Sequence, residues 1–344
     1  MDGSLWLWVG FNAFVIALLA FDLGVLHRKE REVRVAEALW LSLGYVALAL
    51  LFCAGLLWLR GSQAAIDFLT GYLIEKSLSI DNIFVFVLIF SYFSVPARYQ
   101  YRVLFWGILG ALAMRGLLIL AGVELIHNFA WTALIFGGFL ILTGIKMLIV
   151  ADRKPDIENN ILVRAIRRRF PVTDAYRGKR FFVWQDDRLH ATPLFLVLVL
   201  VEFSDLVFAI DSIPAIIAIT SDPFIVYTAN VFAVLGLRAL YFALAGIVPR
   251  FVYLKHALSL VLAVIGGKMI ANYAYGGKLV PTEAALLVTV FLVGGAVLLS
   301  LIRTRRALPP EQADAIAGWV PGSPAKAAPE RTDNLSTMPF PREG

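Results

Sequence analysis

Two stretches decide how this chain is read: Glu75-Lys-Ser-Leu-Ser-Ile-Asp81-Asn82-Ile83 and Asp205-Leu-Val-Phe-Ala-Ile-Asp211-Ser212-Ile213. Each places an acid, then five residues, then Ile-Asp-[Asn/Ser]-Ile, and each sits at the centre of an apolar run long enough to cross a bilayer. A carboxylate in hydrocarbon is costly, so acids placed there mark ion or proton pathways or are paired inside the protein. The same phrase written twice makes a transport site the expected function.

The rest of the chain agrees with a membrane setting. Of its 344 residues 60% are hydrophobic and 16% charged, with a mean hydropathy of +0.78, whereas soluble domains run at about 45–50% apolar. Windows of about twenty apolar residues, the length that crosses a hydrocarbon core of about 30 Å, fall at Leu5 to Leu26, Ala38 to Leu59, Ile66 to Phe93, Val103 to Val123, Trp131 to Val150, Pro193 to Ile219, Ile225 to Ile247, Val252 to Tyr273 and Ala284 to Ile302. The fold class predicted is all-α, a polytopic membrane protein with about nine transmembrane helices over residues 1–303. From Ala307 onward Pro, Ala, Ser, Glu and Gly replace the apolar pattern, so 304–344 is expected to be a disordered tail.

Orientation follows from the basic residues. The first window is no cleavable signal peptide, because its cluster His27-Arg28-Lys29 follows the apolar run. With the N-terminus outside, Lys and Arg crowd Arg28 to Arg34, Arg98 and Arg102, Arg153 to Arg188, Arg250 and Lys255, and Arg303 to Arg306, leaving Arg60 and Lys278 on the opposite side. The crowded side, with the C-terminus, is then cytoplasmic. The net charge of +6 reports topology, not nucleic-acid binding.

The repeat extends beyond the acids. Arg115 and then Gly144-Ile-Lys146-Met147 follow the first copy; Arg238 and then Gly266-Gly-Lys268-Met269 follow the second. Three windows make one unit, at about 66–150 and 193–273, and an odd number of spans sends the second unit through the membrane in the opposite direction. Inverted three-helix repeats of this kind place substrate sites near the midplane, where the units meet. Between them, residues 152–192 form a basic cytoplasmic connection, with a helical stretch at Val163 to Arg169 and a small hairpin predicted about Asp186-Asp187. A plain linker is the reading favoured for it.

Cys53 is the one cysteine and only four His occur, so soft-metal ligands are scarce and oxygen is abundant. Glu75, Ser79 and Asn82 share a helical face at i, i+4, i+7; Ser77 and Asp81 share another; Glu202, Asp205 and Ser212 lie near one stripe, with Asp211 off it. Pro214 removes a helical hydrogen bond from the carbonyl of Ile210 and predicts a loosened turn beside Asp211. Asp22, one turn from a basic cluster, is a further candidate. Carboxylates, an amide, hydroxyls and freed carbonyls suit a hard divalent cation, Mn2+, Mg2+ or Ca2+, exchanged for protons. Internal ion pairing with Lys76, Arg115, Lys146, Arg238 and Lys268 is the structural alternative; Arg115 and Arg238 are expected to be structural partners, and Lys146 and Lys268 to snorkel.

The phrases Leu69-Thr-Gly-Tyr-Leu-Ile-Glu75-Lys-Ser-Leu-Ser-Ile-Asp81-Asn82, Val201-Glu202-Phe-Ser-Asp205-Leu-Val-Phe-Ala-Ile-Asp211-Ser212-Ile-Pro214-Ala and Phe21-Asp22-Leu-Gly-Val-Leu-His-Arg-Lys resemble the TerC family of integral membrane proteins, nearest its Alx-like branch, over about residues 5–303. The resemblance implies an exporter of Mn2+ from the cytoplasm across the inner (plasma) membrane, associated with manganese and alkaline-pH response and, by the older name, with tellurium resistance. It places the family's intramembrane acids on Asp22, Glu75, Asp81, Glu202, Asp205 and Asp211. With Asn82 and Ser212 as neutral donors, these are the expected metal-site residues. Mn2+ is expected as transported substrate and not as a resident cofactor. The alternative is a membrane scaffold or sensor in tellurium or alkaline-pH stress, acting through the 152–192 connection. An intramembrane enzyme is not expected, since no His-Glu-x-x-His, Ser-Lys or paired-Asp protease signature is present.

Overall fold

The computed structural model describes residues 2–21, 35–150, 164–165, 168, 171–173, 175–185, 188–245, 253–276 and 279–304. A helix stands at each apolar window: α1 (Asp2–Phe21), α2 (Val35–Arg60), α3 (Ser62–Tyr92), α4 (Ala97–Asn128), α5 (Thr132–Val150), α6 (Pro193–Ile217), α7 (Pro223–Leu235) running into α8 (Leu237–Leu244), α9 (Leu254–Ala274) and α10 (Thr282–Thr304). Among the described residues seven segments are long and apolar enough to cross a membrane, α7 and α8 together making one. The two that fall short are α1, whose described apolar stretch is Trp6–Ala20, and α3, 31 residues long but carrying Asp67, Glu75, Lys76 and Asp81. The architecture is that of an all-α polytopic membrane protein, as hydrocarbon requires when every backbone group must be satisfied within its own segment. Asp22, most of Val163 to Arg169, and the tail beyond Thr304 lie outside the described residues.

The expected hairpin is present. Strands β1 (Phe182–Gln185) and β2 (Arg188–Ala191) pair antiparallel with Phe182 opposite Ala191 and Trp184 opposite Leu189. The connection is fastened to helix ends on one side of the bundle. Tyr176 donates its hydroxyl to the Phe93 carbonyl at 2.7 Å, Arg102 lies over the Phe181 ring at 5.1 Å, and Phe182 packs on Phe195 at 4.5 Å. Burial pushes the Tyr176 hydroxyl up to about 12, so it stays protonated and keeps donating at physiological pH.

Local chemistry sets the turns on the other side. Gly61 reverses the chain between α2 and α3 in one residue at φ +89°, a conformation that side chains with a Cβ rarely adopt. Asp222 caps α7, accepting from the Phe224 and Ile225 amides at 2.9 and 3.3 Å, with Pro223 in the first turn. The same carboxylate takes Arg60 at 2.8 Å, tying the end of α2 to the start of α7.

Helix directions can be read from the contacts. Helices α4 and α6 run parallel: Val103 and Leu104 cluster with Leu194 and Val197, Arg115 meets Asp205, and Ile119 and Val123 cluster with Ile213 and Ile217. Helices α3 and α7 are likewise parallel, with Gly71 against Ala229 and Lys76 reaching the Ala233 carbonyl. By contrast α3 and α6 are antiparallel, since Gly71 faces Ile216 while Phe86 and Phe90 cluster with Val197 and Val201.

The closest approach is between α5 and α9. A Cβ on Gly266 would stand 2.5 Å from the Gly137 carbonyl oxygen, and one on Gly144 would stand 2.7 Å from that of Ser259. The step along the sequence that carries Gly144 onto Gly266 also carries Gly137 onto Ser259, so the two contacts exchange with each other. Gly266→Ala is therefore expected to lower the melting temperature in detergent, at a cost of about 1–3 kcal/mol for overpacking against backbone. Gly267→Ala is its control, since a Cβ there meets nothing within 4 Å; equal melting for the two variants would contradict this packing.

One expectation is corrected. Helix α6 continues through Pro214 to Ile217 instead of loosening beside Asp211. The interruption falls in the seventh window, at Gly236, where α7 gives way to α8. There the Ala233 carbonyl accepts from the Lys76 ammonium of α3 at 3.4 Å. A side chain from another helix thus adds a hydrogen bond next to the interruption, one of the ways in which a broken span is tolerated inside a bundle.

Candidate functional site

Arg115, 1% exposed, stands at the centre of the bundle. Its Nε and Nη2 donate to the two oxygens of Asp205, both at 2.9 Å, a bidentate pairing, while Nη1 donates to Glu75 and, at 3.3 Å, to the Asn230 amide oxygen. Glu75 and Asp205 are the repeat-equivalent first acids of the two phrases, and both are buried. A guanidinium is the group suited to this place, because its planar fork satisfies two carboxylates and an amide from three helices at once. Internal pairing is thus realised for one acid from each phrase.

The other predicted residues are placed differently. Asn82 and Ser212 are each 1% exposed, and neither the Asn82 Oδ1 nor the Ser212 Oγ has a hydrogen-bond partner. Glu202 rests its carboxylate over Gly110, where a Cβ would collide with it, and its Oε2 is unpartnered. Asp211 is half-buried and accepts from the Thr143 hydroxyl of α5 at 3.2 Å. Asp81 lies within α3, one residue before Asn82; its side chain, like all of Asp22, is outside what is described. Among the described residues no group of three or more His, Cys, Asp or Glu is assembled as a metal cage.

The unpartnered atoms form a pattern. Among the described residues eight buried side-chain polar atoms have no partner, and six belong to Tyr72, Glu75, Ser79, Asn82, Glu202 and Ser212. Tyr72, Glu75, Ser79 and Asn82 fall on one face of α3; Glu202, Asp205 and Ser212 fall at the matching positions of α6, with Tyr72 corresponding to Glu202. Unsatisfied buried polar atoms are few in native proteins and each calls for an explanation. Tyr72 and Thr143 were absent from the sequence-derived set; Tyr72 was detectable as the residue that the repeat aligns with Glu202. Asn230, on α7, carries no such signal.

The bases also separate. Arg238, the counterpart of Arg115, donates to the Tyr101 hydroxyl at 2.8 Å and lies over that ring at 4.4 Å. A small cavity of ≈ 10 Å³ is lined by both Asp205 and Arg238. Lys146 is exposed, whereas Lys268, its counterpart in the repeat, is buried. Lys268 lines a polar cavity of ≈ 400 Å³ with Thr220, Ser221, Asn272 and Thr282, at the end of α6 away from the hairpin.

A multi-pass helical membrane protein with a buried arginine–carboxylate centre is the class these features define. The chain belongs to the TerC family: the family described as "Integral membrane protein TerC family" matches residues 60–308, from the start of α3 to beyond α10. It is 52% identical over 314 residues to "Uncharacterized membrane protein STKORF319" of Myxococcus xanthus, covering 91% of this chain and 97% of the relative. It is 48% identical over 278 residues to "Putative membrane-bound redox modulator Alx" of Escherichia coli (strain K12), covering 78% and 86%. A third relative, of the same name and from Photorhabdus laumondii, is 45% identical over 304 residues, 84% of this chain and 95% of the relative. The TerC, Alx-like resemblance read from the phrases is upheld. No solved structure matches the chain.

Proposed function

We propose that this protein exports a hard divalent cation, Mn2+ in the first place, from the cytoplasm across the inner membrane by alternating access, with protons moving the other way. The observation that carries the reading is the pair of matching stripes on α3 and α6, where buried oxygens of Tyr72, Glu75, Ser79, Asn82, Glu202 and Ser212 lack partners. Oxygen ligands of carboxylate, amide and hydroxyl type suit Mn2+, Mg2+ and Ca2+ and not the thiophilic metals. Asp81 and Asp211 act as principal ligands, Asn82 and Ser212 as neutral donors, and Glu202 and Asp22 as acids on the route. Glu75 and Asp205, drawn together by Arg115, hold the two units in register and leave one Glu75 oxygen facing the path.

Inverted repeats at 66–150 and 193–273 are part of the proposal. Their support is the exchange symmetry of the packing: α4 lies along α6 as α7 lies along α3, and the α5–α9 glycine contacts map onto each other. Such units rock about a fixed midplane site. The cavity beside Lys268 then serves as the outer vestibule.

The name shared by the Escherichia coli and Photorhabdus laumondii relatives suggests a second reading, redox modulation. Cys53 is the one thiol in the sequence, and it donates to the Ala65 carbonyl at 3.5 Å. With no second thiol in the sequence to close a disulfide, any thiol-based redox action would require another molecule. A scaffold acting through 152–192 remains the contrasting class, and deleting that loop would silence a scaffold while leaving residual flux in a transporter.

Proteoliposomes decide the matter. Protein-dependent movement of Mn2+ is expected, competed by Mg2+ and Ca2+ more than by Zn2+, and changing between two pH values as coupled protons require. Flux no greater than in protein-free vesicles, for every one of these ions, would refute the transport reading.

A further inference from the structure

We infer that the β1–β2 hairpin is a membrane-surface paddle: its Trp184–Leu189 face lies in the headgroup region of the protein's own bilayer, and the arginines around it bind anionic lipid. The register sets which residues share that face. Trp184 pairs with Leu189 and Phe182 with Ala191, so all four point to one side, while Val183, Gln185, Arg188 and His190 point to the other. Trp184 is 76% exposed and Leu189 41%, an apolar cross-strand pair left open among the described residues.

The position of this face identifies what covers it. Phe182, on the same face, packs against Phe195 in the first turn of α6. Phe195 borders the outward stripe that continues through Val199, Phe203 and Ile210, of which Phe203 and Ile210 are exposed, 40% and 46%, on the surface of a membrane helix. The hairpin's apolar face is therefore continuous with the lipid-facing surface of α6 and begins where that helix leaves the hydrocarbon. Tryptophan is the residue enriched at this depth, with its ring in the interface and its N–H in water.

Charge complements the face. Arg177, Arg180 and Arg188 are exposed on and just before the hairpin. Bases held at the surface of an anionic leaflet gain electrostatic attraction that decays within a Debye length. The anchors at Tyr176, Phe181 and Phe182 hold the hairpin against the ends of α3, α4 and α6, so it meets the leaflet as a preformed element and not as a loose chain. This inference does not depend on the protein's being a transporter.

The test places single cysteines at 183, 184, 189 and 190 in a Cys53→Ser background, each spin-labelled and reconstituted into phosphatidylcholine vesicles with and without phosphatidylglycerol. Labels at 184 and 189 should favour collision with oxygen over an aqueous nickel chelate by several-fold more than labels at 183 and 190. The contrast should shrink in phosphatidylcholine alone and in the variant carrying Arg177→Gln, Arg180→Gln and Arg188→Gln. As a check free of labels, Trp184→Ala should remove an emission component quenched by lipids brominated near the headgroup. Four labels equally open to the nickel chelate would overturn the inference, as would labels at 184 and 189 shielded from both reagents, the sign of a protein cover.

Discussion

Arg115→Ala is expected to leave the protein barely able to fold. The substitution removes the base that holds Glu75, Asp205 and Asn230, and strands two buried carboxylates with no counter-charge. Breaking a buried pair by deleting one partner costs about 3–5 kcal/mol, because the remaining charge is uncompensated. The readout is membrane accumulation together with thermal melting in detergent. Neutralising the acids as well, in the triple variant Arg115→Ala, Glu75→Gln, Asp205→Asn, should recover much of the loss, since removing both partners avoids the stranded charge. An Arg115→Ala protein that melts like the wild type would show that the network contributes nothing to stability.

Asp211→Asn and Asp81→Asn are expected to have the opposite profile, with transport lost and the fold retained. Asp211 is half-buried and accepts from the Thr143 hydroxyl, which an asparagine oxygen can still accept from. Losing even an outer-shell partner of a metal costs about 10–100-fold in affinity, so losing a charged ligand should lower Mn2+ flux by about a hundredfold or more. Flux assays in vesicles, normalised to inserted protein and accompanied by melting curves, separate the two profiles. Wild-type flux in both variants would remove these two residues from the site.

Much of the architecture was legible because membrane physics leaves little choice. Apolar runs of span length must be helical, and each one is. The hairpin was readable from alternation about Asp186-Asp187. Less legible was the fate of individual charges. Spacing alone places Glu75 and Asp205 inside the bundle, but it cannot decide between a free carboxylate and one claimed by arginine; that depends on α4 lying along α6 closely enough for Arg115 to reach both. Lys146 and Lys268 look alike in sequence, yet one is exposed and the other is buried beside a cavity, because α10 and the chain after α6 close over the second. Pro214 misled for a related reason. A proline removes one hydrogen bond, and the dense packing of Ile213, Ala215 and Ile216 keeps α6 helical around it, whereas the chain gives way at Gly236, a residue type that weakens a helix interior.

That joint at Gly236 has a mechanical meaning. A continuous helix is stiff because flexing it stretches many rungs together; here the helix is interrupted, and the Ala233 carbonyl just before the break is held by Lys76 from α3. Asn230, in touch with Arg115, lies on one side of the joint, and Arg238, seated on Tyr101, lies on the other. Elastic compliance is thus concentrated between two neighbouring arginine seats, and the short segment α8 can tilt without dragging the centre of the molecule along with it.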